Sequence, residues 1–265
     1  MESRIATNTN LIAFSRDSHL TMTEAVPMLA SGGFKVLDLN FCEMMGPSSP
    51  LNDERADSYI SELDELRKSS GLEYFQCHLP YPRNSEESNE SNALIFKAIG
   101  YAERLGIKTA VIHPIKGSAA KNIAYLDKFI RNSSSISFAV ENMEREDEIH
   151  SADSLLAIAA NLDRTGICLD TGHANVMGED IPEFIYKAGS YLIATHLSDN
   201  DGKNDLHLLP GMGNIKWEEV IPAFRESYSG YLNYEAMFYG RNLPSSFRKK
   251  TIEMSISISS WLLSL

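Results

Sequence analysis

Acidic and imidazole side chains follow an apolar, strand-like run near the middle of this 265-residue chain. Residues 167–169 lead into Asp170, and His173 follows after Thr171 and Gly172. A strand end followed by a turn would place Asp170 and His173 on the same rim. Carboxylate and imidazole groups are good ligands for divalent metals such as zinc or manganese. One such pair proves little, so the question is whether other predicted strands end in the same way.

Comparable residues end the other predicted strands. The residues at or near the ends of predicted strands three to eight are, in order, His78, His113, Glu141, Asp170, His196 and Glu235. The loop after strand seven adds Asp205 and His207. A hydrogen-bonded structural role would explain His78 or His113 alone. It fails for the other four strand-end residues together, because three acids and one imidazole at one rim would repel and lose solvation without a cation. We therefore predict a metal site formed by Glu141, Asp170, His196 and Glu235.

Apolar runs alternate with longer segments of helical periodicity along the whole chain. The predicted strands cover residues 5–10, 36–40, 72–78, 109–113, 137–141, 166–170, 192–197 and 231–235. The predicted helices cover residues 23–30, 53–69, 93–105, 123–130, 155–162, 181–188, 217–226 and 247–263, with Thr23 as the first N-cap. This alternation implies an α/β fold with parallel strands and right-handed crossovers, and eight units indicate a (β/α)₈ TIM barrel. The length is close to the roughly 250 residues typical of that fold, which predicts a single TIM-barrel domain over residues 1–265.

The types of ligand narrow the choice of metal without fixing it. In a TIM barrel the carboxyl ends of the strands form the rim where chemistry occurs, so the predicted site lies at the barrel mouth. Carboxylates and imidazole without thiolate suit Mn²⁺ or Zn²⁺, and also Co²⁺ or Mg²⁺. Cys42, Cys77 and Cys168 lie in apolar segments without CxxC spacing, and we expect them to be reduced core thiols.

Composition bears on partners and compartment. The chain has 36 acidic and 24 basic residues and a net charge of −12. That balance disfavours nucleic acid as a partner, because such binding depends largely on Lys and Arg that neutralise phosphates. No apolar run reaches the ~18 residues of a membrane span, and the N-terminus lacks the pattern of a signal peptide. Together with the core thiols, these features predict a cytoplasmic protein that does not enter a membrane. The sequence leaves a homo-oligomer open.

Three motifs resemble those of a known superfamily. They are LDTGHA at residues 169–174, HLSDNDG at residues 196–202, and DLHLLPGMG at residues 205–213 followed by Trp217. With the strand order, they make the chain similar to the xylose isomerase-like TIM-barrel superfamily over nearly its whole length. That superfamily contains sugar-phosphate isomerases and epimerases, ketose 3-epimerases, inositol-catabolism enzymes and apurinic/apyrimidinic endonucleases. The last motif looks most like the isomerase and epimerase branch.

Resemblance to the epimerase branch implies one divalent metal held by Glu141, Asp170, His196 and Glu235. It also implies that Glu141 and Glu235 act as acid and base on opposite faces of the substrate, and that His173 contacts a substrate oxygen. The substrate would be a sugar, a sugar phosphate or a related polyol ketone. An α-hydroxy ketone would chelate the metal and react through an enediolate, whose charge the cation stabilises.

Resemblance to the endonuclease branch implies a larger set that binds three zinc ions. The matching residues of this chain are His78, His113, Glu141, Asp170, His173, His196, Asp205, His207 and Glu235. A phosphodiesterase with several metals is therefore the leading alternative. The net charge opposes it, and the loop at residues 44–52 contains no Lys or Arg. A third interpretation is a non-catalytic metal-binding barrel, which is weaker because ligands at an open mouth usually leave a position for substrate.

Other polar residues near the predicted rim have more ordinary explanations. Asn10 and Asn40 could hydrogen-bond substrate hydroxyls or satisfy turns. The candidates for gripping a phosphate in rim loops are Arg83, Lys116 and Lys203, although placement on the surface explains each of them equally well. His19 and His150 are expected to be ordinary surface residues.

Overall fold

A ring of eight parallel strands forms the centre of the molecule in the computed structural model, which describes residues 4–146, 148–237 and 239–265. The strands are Ile5–Asn8 (β1), Val36–Asn40 (β2), Glu73–His78 (β3), Thr109–Ile112 (β4), Ser137–Glu141 (β5), Thr165–Asp170 (β6), Leu192–His196 (β7) and Leu232–Tyr234 (β8). They pair in the order β7-β6-β5-β4-β3-β2-β1-β8. The Leu197 amide donates to the Asn233 carbonyl at 2.6 Å and the Glu235 amide to the Leu197 carbonyl at 3.0 Å, which closes the ring between β7 and β8. The predicted (β/α)₈ TIM barrel is confirmed.

Helices surround the ring. Among the described residues they are Met22–Ser31 (α1), Ala56–Ser70 (α2), Asn89–Arg104 (α3), Ala119–Arg131 (α4), Ala152–Ala159 (α5), Thr171–Val176 (α6), Ile181–Ala188 (α7), Trp217–Ser227 (α8) and Arg248–Ser264 (α9). Their apolar faces recur at helical spacing, as Tyr125, Phe129 and Ile130 do on α4. These side chains belong to the same buried cluster as Phe138 of β5, so the main core lies between ring and helices. Within the described part of the chain, no helix has both the length and the apolar character that a membrane span requires.

Six of the eight predicted helix starts are displaced, by one to four residues. Helix α1 begins at Met22 with Thr21 as its N-cap, because the Glu24 carboxylate accepts a hydrogen bond from the Thr21 amide at 2.8 Å. The predicted turn after β6 is the short helix α6. Its N-cap is Asp170, whose Oδ1 accepts from the His173 amide at 2.8 Å. One carboxylate oxygen of Asp170 thus starts a helix, and the other stays available for the mouth of the barrel.

The first predicted strand is also too long. Strand β1 ends at Asn8, where the side-chain oxygen accepts from the Asn10 amide at 2.8 Å and begins a short 3₁₀ helix, Thr9–Leu11. Asn10 therefore lies beyond the strand rather than at its end. It nevertheless lines the cavity at the mouth of the barrel, as does Asn40.

Side chains inside the ring form layers, because alternate residues of a strand point to the same face. The layer below the mouth has two different halves. Strands β4 to β7 contribute an apolar cluster of small side chains, which is made of Val111, Ala139, Cys168 and Ala194. Strands β1, β2, β3 and β8 contribute buried polar side chains, namely Asn8, Asp38, Gln76 and Asn233. The residues at the mouth therefore rest on one apolar half and one polar half.

Candidate metal centre and active site

A cavity of about 700 Å³ opens at the carboxyl ends of the strands. Seven of the nine residues predicted to bind metal or substrate line it, namely His78, His113, Glu141, His173, Asp205, His207 and Glu235. The other two, Asp170 and His196, are fully buried. All nine fall into three groups of possible ligands at this end of the barrel, and Glu141 belongs to the first and second groups.

The first group consists of Glu141, Asp170, His196 and Glu235, and one potential ligand atom from each lies within 4.8 Å of the others. His196 Nδ1 is 2.8 Å from Glu141 Oε1 and 3.0 Å from Glu235 Oε2. Glu141 Oε2 and Asp170 Oδ2 are buried without a hydrogen-bond partner among the described residues. Buried carboxylate oxygens are costly unless they are paired or coordinate a cation. The geometry and the unpartnered oxygens therefore fit a divalent metal.

Ionisation of the first group also favours a positive charge at its centre. Burial alone would raise the pKa of Glu141, but His196 and His113 outweigh it and hold that pKa well below its ordinary value. Against the same effect of burial, His196 holds the pKa of Glu235 at about 2. Burial raises the pKa of Asp170 to about 7, with Glu235 and Glu141 adding to the shift and His173 opposing it. Two of the three carboxylates are thus anionic at neutral pH.

The second group consists of His78, His113 and Glu141. The Nε2 atoms of the two histidines are 3.1 Å apart, and they lie 3.3 and 3.1 Å respectively from Glu141 Oε2. His78 Nδ1 faces the Leu79 carbonyl at 2.9 Å and the Cys42 sulfur at 3.0 Å. Donation from Nδ1 to that carbonyl leaves the Nε2 lone pair directed at the mouth. This arrangement offers two imidazole nitrogens and one carboxylate oxygen to a cation.

The third group consists of His173, Asp205 and His207. Asp205 Oδ2 lies 2.7 Å from His207 Nε2 and 3.6 Å from His173 Nε2. His173 Nδ1 faces the backbone carbonyl of Asn142 at 2.8 Å, and His207 Nδ1 faces that of Glu235 at 2.9 Å. His207 has a φ of +45°, a left-handed conformation that is uncommon outside glycine. The local backbone therefore holds both rings with Nε2 towards one carboxylate.

The loop that carries Asp205 and His207 is held by a buried carboxylate. Asp199 Oδ1 accepts from the amides of Asn200 at 2.9 Å and Ile215 at 3.2 Å. Asp199 Oδ2 accepts from the Gly211 amide at 2.8 Å and from the indole nitrogen of Trp217, the first residue of α8, at 2.9 Å. Asp199 and Trp217 of the sequence motifs therefore shape the loop rather than line the cavity.

Sequence reasoning missed several residues that line the cavity. They are Cys42, Glu43, Tyr81, Glu144, Arg145 and Glu148. The Tyr81 ring stacks on His113 with centroids 4.8 Å apart and planes at 16°. A loop position gives no signal for such a contact, because the stacking depends on how the loops after β3 and β4 approach each other.

The positively charged candidates of the rim are placed differently from the metal ligands. Arg83, Lys116 and Lys203 are not among the residues that line the cavity, whereas Arg145 lines it. His19 is exposed as expected, although it also lines the cavity and its ring lies 4.8 Å from that of Phe14 at a tilt of 34°. The prediction for His150 is wrong, because that residue is half-buried and its Nδ1 lies 3.1 Å from a carboxylate oxygen of Glu179.

Two curated relatives are similar to this chain over much of its length. An uncharacterised protein of Methanocaldococcus jannaschii is 27% identical over 257 residues, covering 88% of this chain and 83% of that protein. A probable endonuclease 4 of Mycoplasma capricolum is 25% identical over 209 residues, covering 66% of this chain and 72% of that protein.

Two solved structures share the fold over nearly the whole chain. A D-tagatose 3-epimerase-like protein has a TM-score of 0.72 at 22% identity, covering 98% of this chain and 99% of its own. The IOLI protein with a binding zinc atom has a TM-score of 0.77 at 16% identity, with the same two coverages. Residues 29–250 match the family described as xylose isomerase-like TIM barrel. Because that match spans most of the 265 residues, the chain belongs to the xylose isomerase-like TIM-barrel family.

Proposed function

We propose that this chain is a divalent-metal-dependent isomerase or epimerase of a sugar, a sugar phosphate or a related polyol ketone. The observation that carries the proposal is the first group of ligands. Glu141 and Glu235 both approach Nδ1 of His196 and both line the open cavity, so they can meet a metal and a substrate together. The structural similarity to a D-tagatose 3-epimerase-like protein and to a zinc-binding protein supports this choice.

The residues of the first group fit Zn²⁺ or Mn²⁺, with Co²⁺ or Mg²⁺ as further choices. When bound, such an ion polarises a substrate carbonyl and stabilises the negative charge that develops on its oxygen. Glu141 and Glu235 have lowered pKa values, so both are carboxylates able to accept a proton at neutral pH. One of them removes the proton beside the carbonyl. The other takes up a proton from water in the open cavity and returns it, either on the far face or at the neighbouring carbon, and the first glutamate then loses its proton to water.

The remaining cavity residues bind and orient the substrate in this proposal. His173 offers an imidazole nitrogen to a substrate oxygen, and Tyr81 supplies an aromatic wall beside His113. The described residues that line the cavity include six carboxylates and one arginine, Arg145. Its Nε already lies 3.6 Å from a carboxylate oxygen of Glu144. This balance favours uncharged sugars over sugar phosphates within the proposed class.

The test is proton exchange rather than product formation alone. The protein is stripped of metal, reloaded with Mn²⁺ or Zn²⁺ and incubated in D₂O with a panel of ketoses. We expect NMR to detect deuterium at the carbon beside the carbonyl. Glu141→Gln and Glu235→Gln should each lower the exchange rate by about 10²-fold or more, because each removes a base and a charged ligand. Glu62→Gln on the exposed face of α2 is the matched control. Full exchange by both active-site variants would refute the mechanism.

A multi-metal phosphodiesterase is the second candidate, and one observation favours it. All nine residues of the three-metal pattern lie in three groups at the barrel mouth, and a probable endonuclease 4 is among the relatives. The net charge of −12 and the acidic lining oppose binding of a polyanion. Elemental analysis of protein purified without added metal or chelator separates the two. About one ion per chain favours the isomerase, whereas about three zinc ions would direct the assays to abasic DNA and small phosphodiesters.

A further inference from the structure

A second carboxylate lies in the barrel below the first group of ligands. Asp38 of β2 is fully buried, and its Oδ2 accepts hydrogen bonds from three side-chain amides. The donors are Asn8 at 3.2 Å, Gln76 at 3.0 Å and Asn233 at 2.9 Å. Its Oδ1 has no hydrogen-bond partner among the described residues. Neutral amides do not balance the charge of a carboxylate removed from water, so a positively polarised partner should lie nearby.

The nearest such partner is the ring of His196, which spans two layers of the barrel. Its Nδ1 points to the mouth layer and meets Glu141 and Glu235. Its Nε2 points to the layer below, 3.5 Å from Asp38 Oδ2 and 3.2 Å from Gln76 Nε2. Each nitrogen of one imidazole therefore faces a different set of buried acceptors and donors.

We propose that Asp38 is a positioning residue that keeps a proton on Nε2 of His196, so that Nδ1 is the atom offered to the metal. The inference rests on the metal centre of the proposed function. An imidazole that binds a metal through one nitrogen carries its proton on the other. In this ring the other nitrogen faces Asp38, which is the charged acceptor of the lower layer. Metal ligands of this kind are commonly oriented by such a carboxylate.

Gln76 is the competing partner of Nε2, and its amide nitrogen at 3.2 Å lies nearer to that atom than Asp38 Oδ2 at 3.5 Å. As placed, this nitrogen can donate both to Asp38 Oδ2 and to an unprotonated Nε2, which matches the tautomer in which Nδ1 donates to Glu141. A metal on Nδ1 would require the proton on Nε2, and the Gln76 NH₂ group would then have to turn away from it. Rotation of the amide by half a turn would instead bring its unpartnered Oε1 against Asp38 Oδ2, where two acceptors would repel. Asp38 is therefore the acceptor that we assign to a protonated Nε2.

Asp38→Asn tests this role with little disturbance of the fold. The asparagine oxygen can replace Oδ2 and accept from the same three amides, while its NH₂ takes the position of the unpartnered Oδ1. The change therefore removes the charge that faces Nε2 and keeps the hydrogen bonds. We expect the zinc affinity of the full chain, measured by competition with a chelator, to fall about 10–100-fold. Asn233→Ala is the control, because it removes one donor to the same carboxylate and leaves Asp38 and His196 in place.

Nitrogen-15 NMR of histidine gives a readout that does not depend on activity. In zinc-loaded wild-type protein we expect His196 to be protonated at Nε2, with the signal assigned by its loss in His196→Asn. A ring protonated at Nδ1 overturns the inference, and so does equal loss of zinc affinity in Asp38→Asn and Asn233→Ala. An effect of Gln76→Leu without an effect of Asp38→Asn also overturns it. Failure of wild-type protein to bind any of Zn²⁺, Mn²⁺, Co²⁺ and Mg²⁺ would instead refute the metal centre of the proposed function.

Discussion

The loop that carries Asp205 and His207 should depend on one buried carboxylate, Asp199. Its two oxygens accept four hydrogen bonds, from the amides of Asn200, Gly211 and Ile215 and from the indole of Trp217. Asp199→Asn replaces one oxygen by an NH₂ group, which faces two of these donors. A buried donor left unpaired costs about 1–3 kcal/mol, so two such donors should lower the free energy of unfolding by about 2–6 kcal/mol.

Urea unfolding of the metal-free protein measures this loss. Asp201→Asn is the matched control, because it changes the same residue type in the same loop. Asp201 is exposed, and it accepts from the amides of Lys203 and Asn204 at 2.9 Å each. Donors that reach water remain solvated, so we expect the control to lower the free energy of unfolding far less than Asp199→Asn does. A loss below about 1 kcal/mol in Asp199→Asn would show that the loop does not depend on this carboxylate.

The remaining predictions concern a close approach of the backbone and one buried acid. Gly213→Ala should destabilise the fold by about 1–3 kcal/mol or more, because its Cβ would lie 2.2 Å from the Asn200 carbonyl oxygen. The control is Gly100→Ala on α3, whose Cβ would meet nothing within 4 Å and which should be stabilising. Equal melting temperatures of the two variants would contradict this account. Burial raises the pKa of Glu43 above its ordinary 4.5, against a hydrogen bond from Tyr59. The folded state thus holds this proton to higher pH than the unfolded state, and its contribution to stability is lost as pH rises through the folded pKa. Glu43→Gln should therefore gain melting temperature relative to wild type between pH 4.5 and neutrality, and a constant difference would refute this assignment.

Much of the barrel could be predicted from the sequence because its strands are short apolar runs with polar ends. Strand β5, Ser137–Glu141, has the predicted bounds. The errors lie where a side chain caps the next element. Asp170 begins helix α6 instead of a turn, and Asn8 ends β1 two residues early. Capping depends on which oxygen turns towards the following amides, and a pattern of apolar residues does not contain that information.

The polar strand ends converge because parallel strands of a barrel present all their carboxyl ends at one rim. That rule brings the predicted residues of the three groups together without any knowledge of the loops. It says nothing about which ring nitrogen faces the cavity. The backbone carbonyls of Leu79, Asn142 and Glu235 set the orientation of three of the histidines. The sequence pattern gives no sign of these contacts, because Leu79 and Asn142 lie in predicted connections and the prediction for Glu235 concerns its side chain.

The burial of Asp38 shows a second limit of prediction from the sequence. It stands between two leucines inside β2, where alternation predicts that Leu37 and Leu39 face one side and Asp38 the other. In an antiparallel sheet with one face on the core, the other side would meet solvent. In a closed barrel it is the interior, so the same pattern produces a fully buried carboxylate. Its partners come from β1, β3, β7 and β8, and only the closed ring brings these four strands around it.

Glu141 links the number of bound metals to the chemistry that this site can perform. Its Oε1 faces His196 and belongs to the first group, whereas its Oε2 faces His78 and His113 in the second. With a metal in the first group alone, Oε2 would remain uncoordinated and could accept a proton from substrate. A second metal held by His78 and His113 would also engage Oε2, which would then lose that capacity. Isomerisation and a multi-metal phosphodiester reaction therefore make incompatible demands on one carboxylate, so metal stoichiometry tests the proposed mechanism.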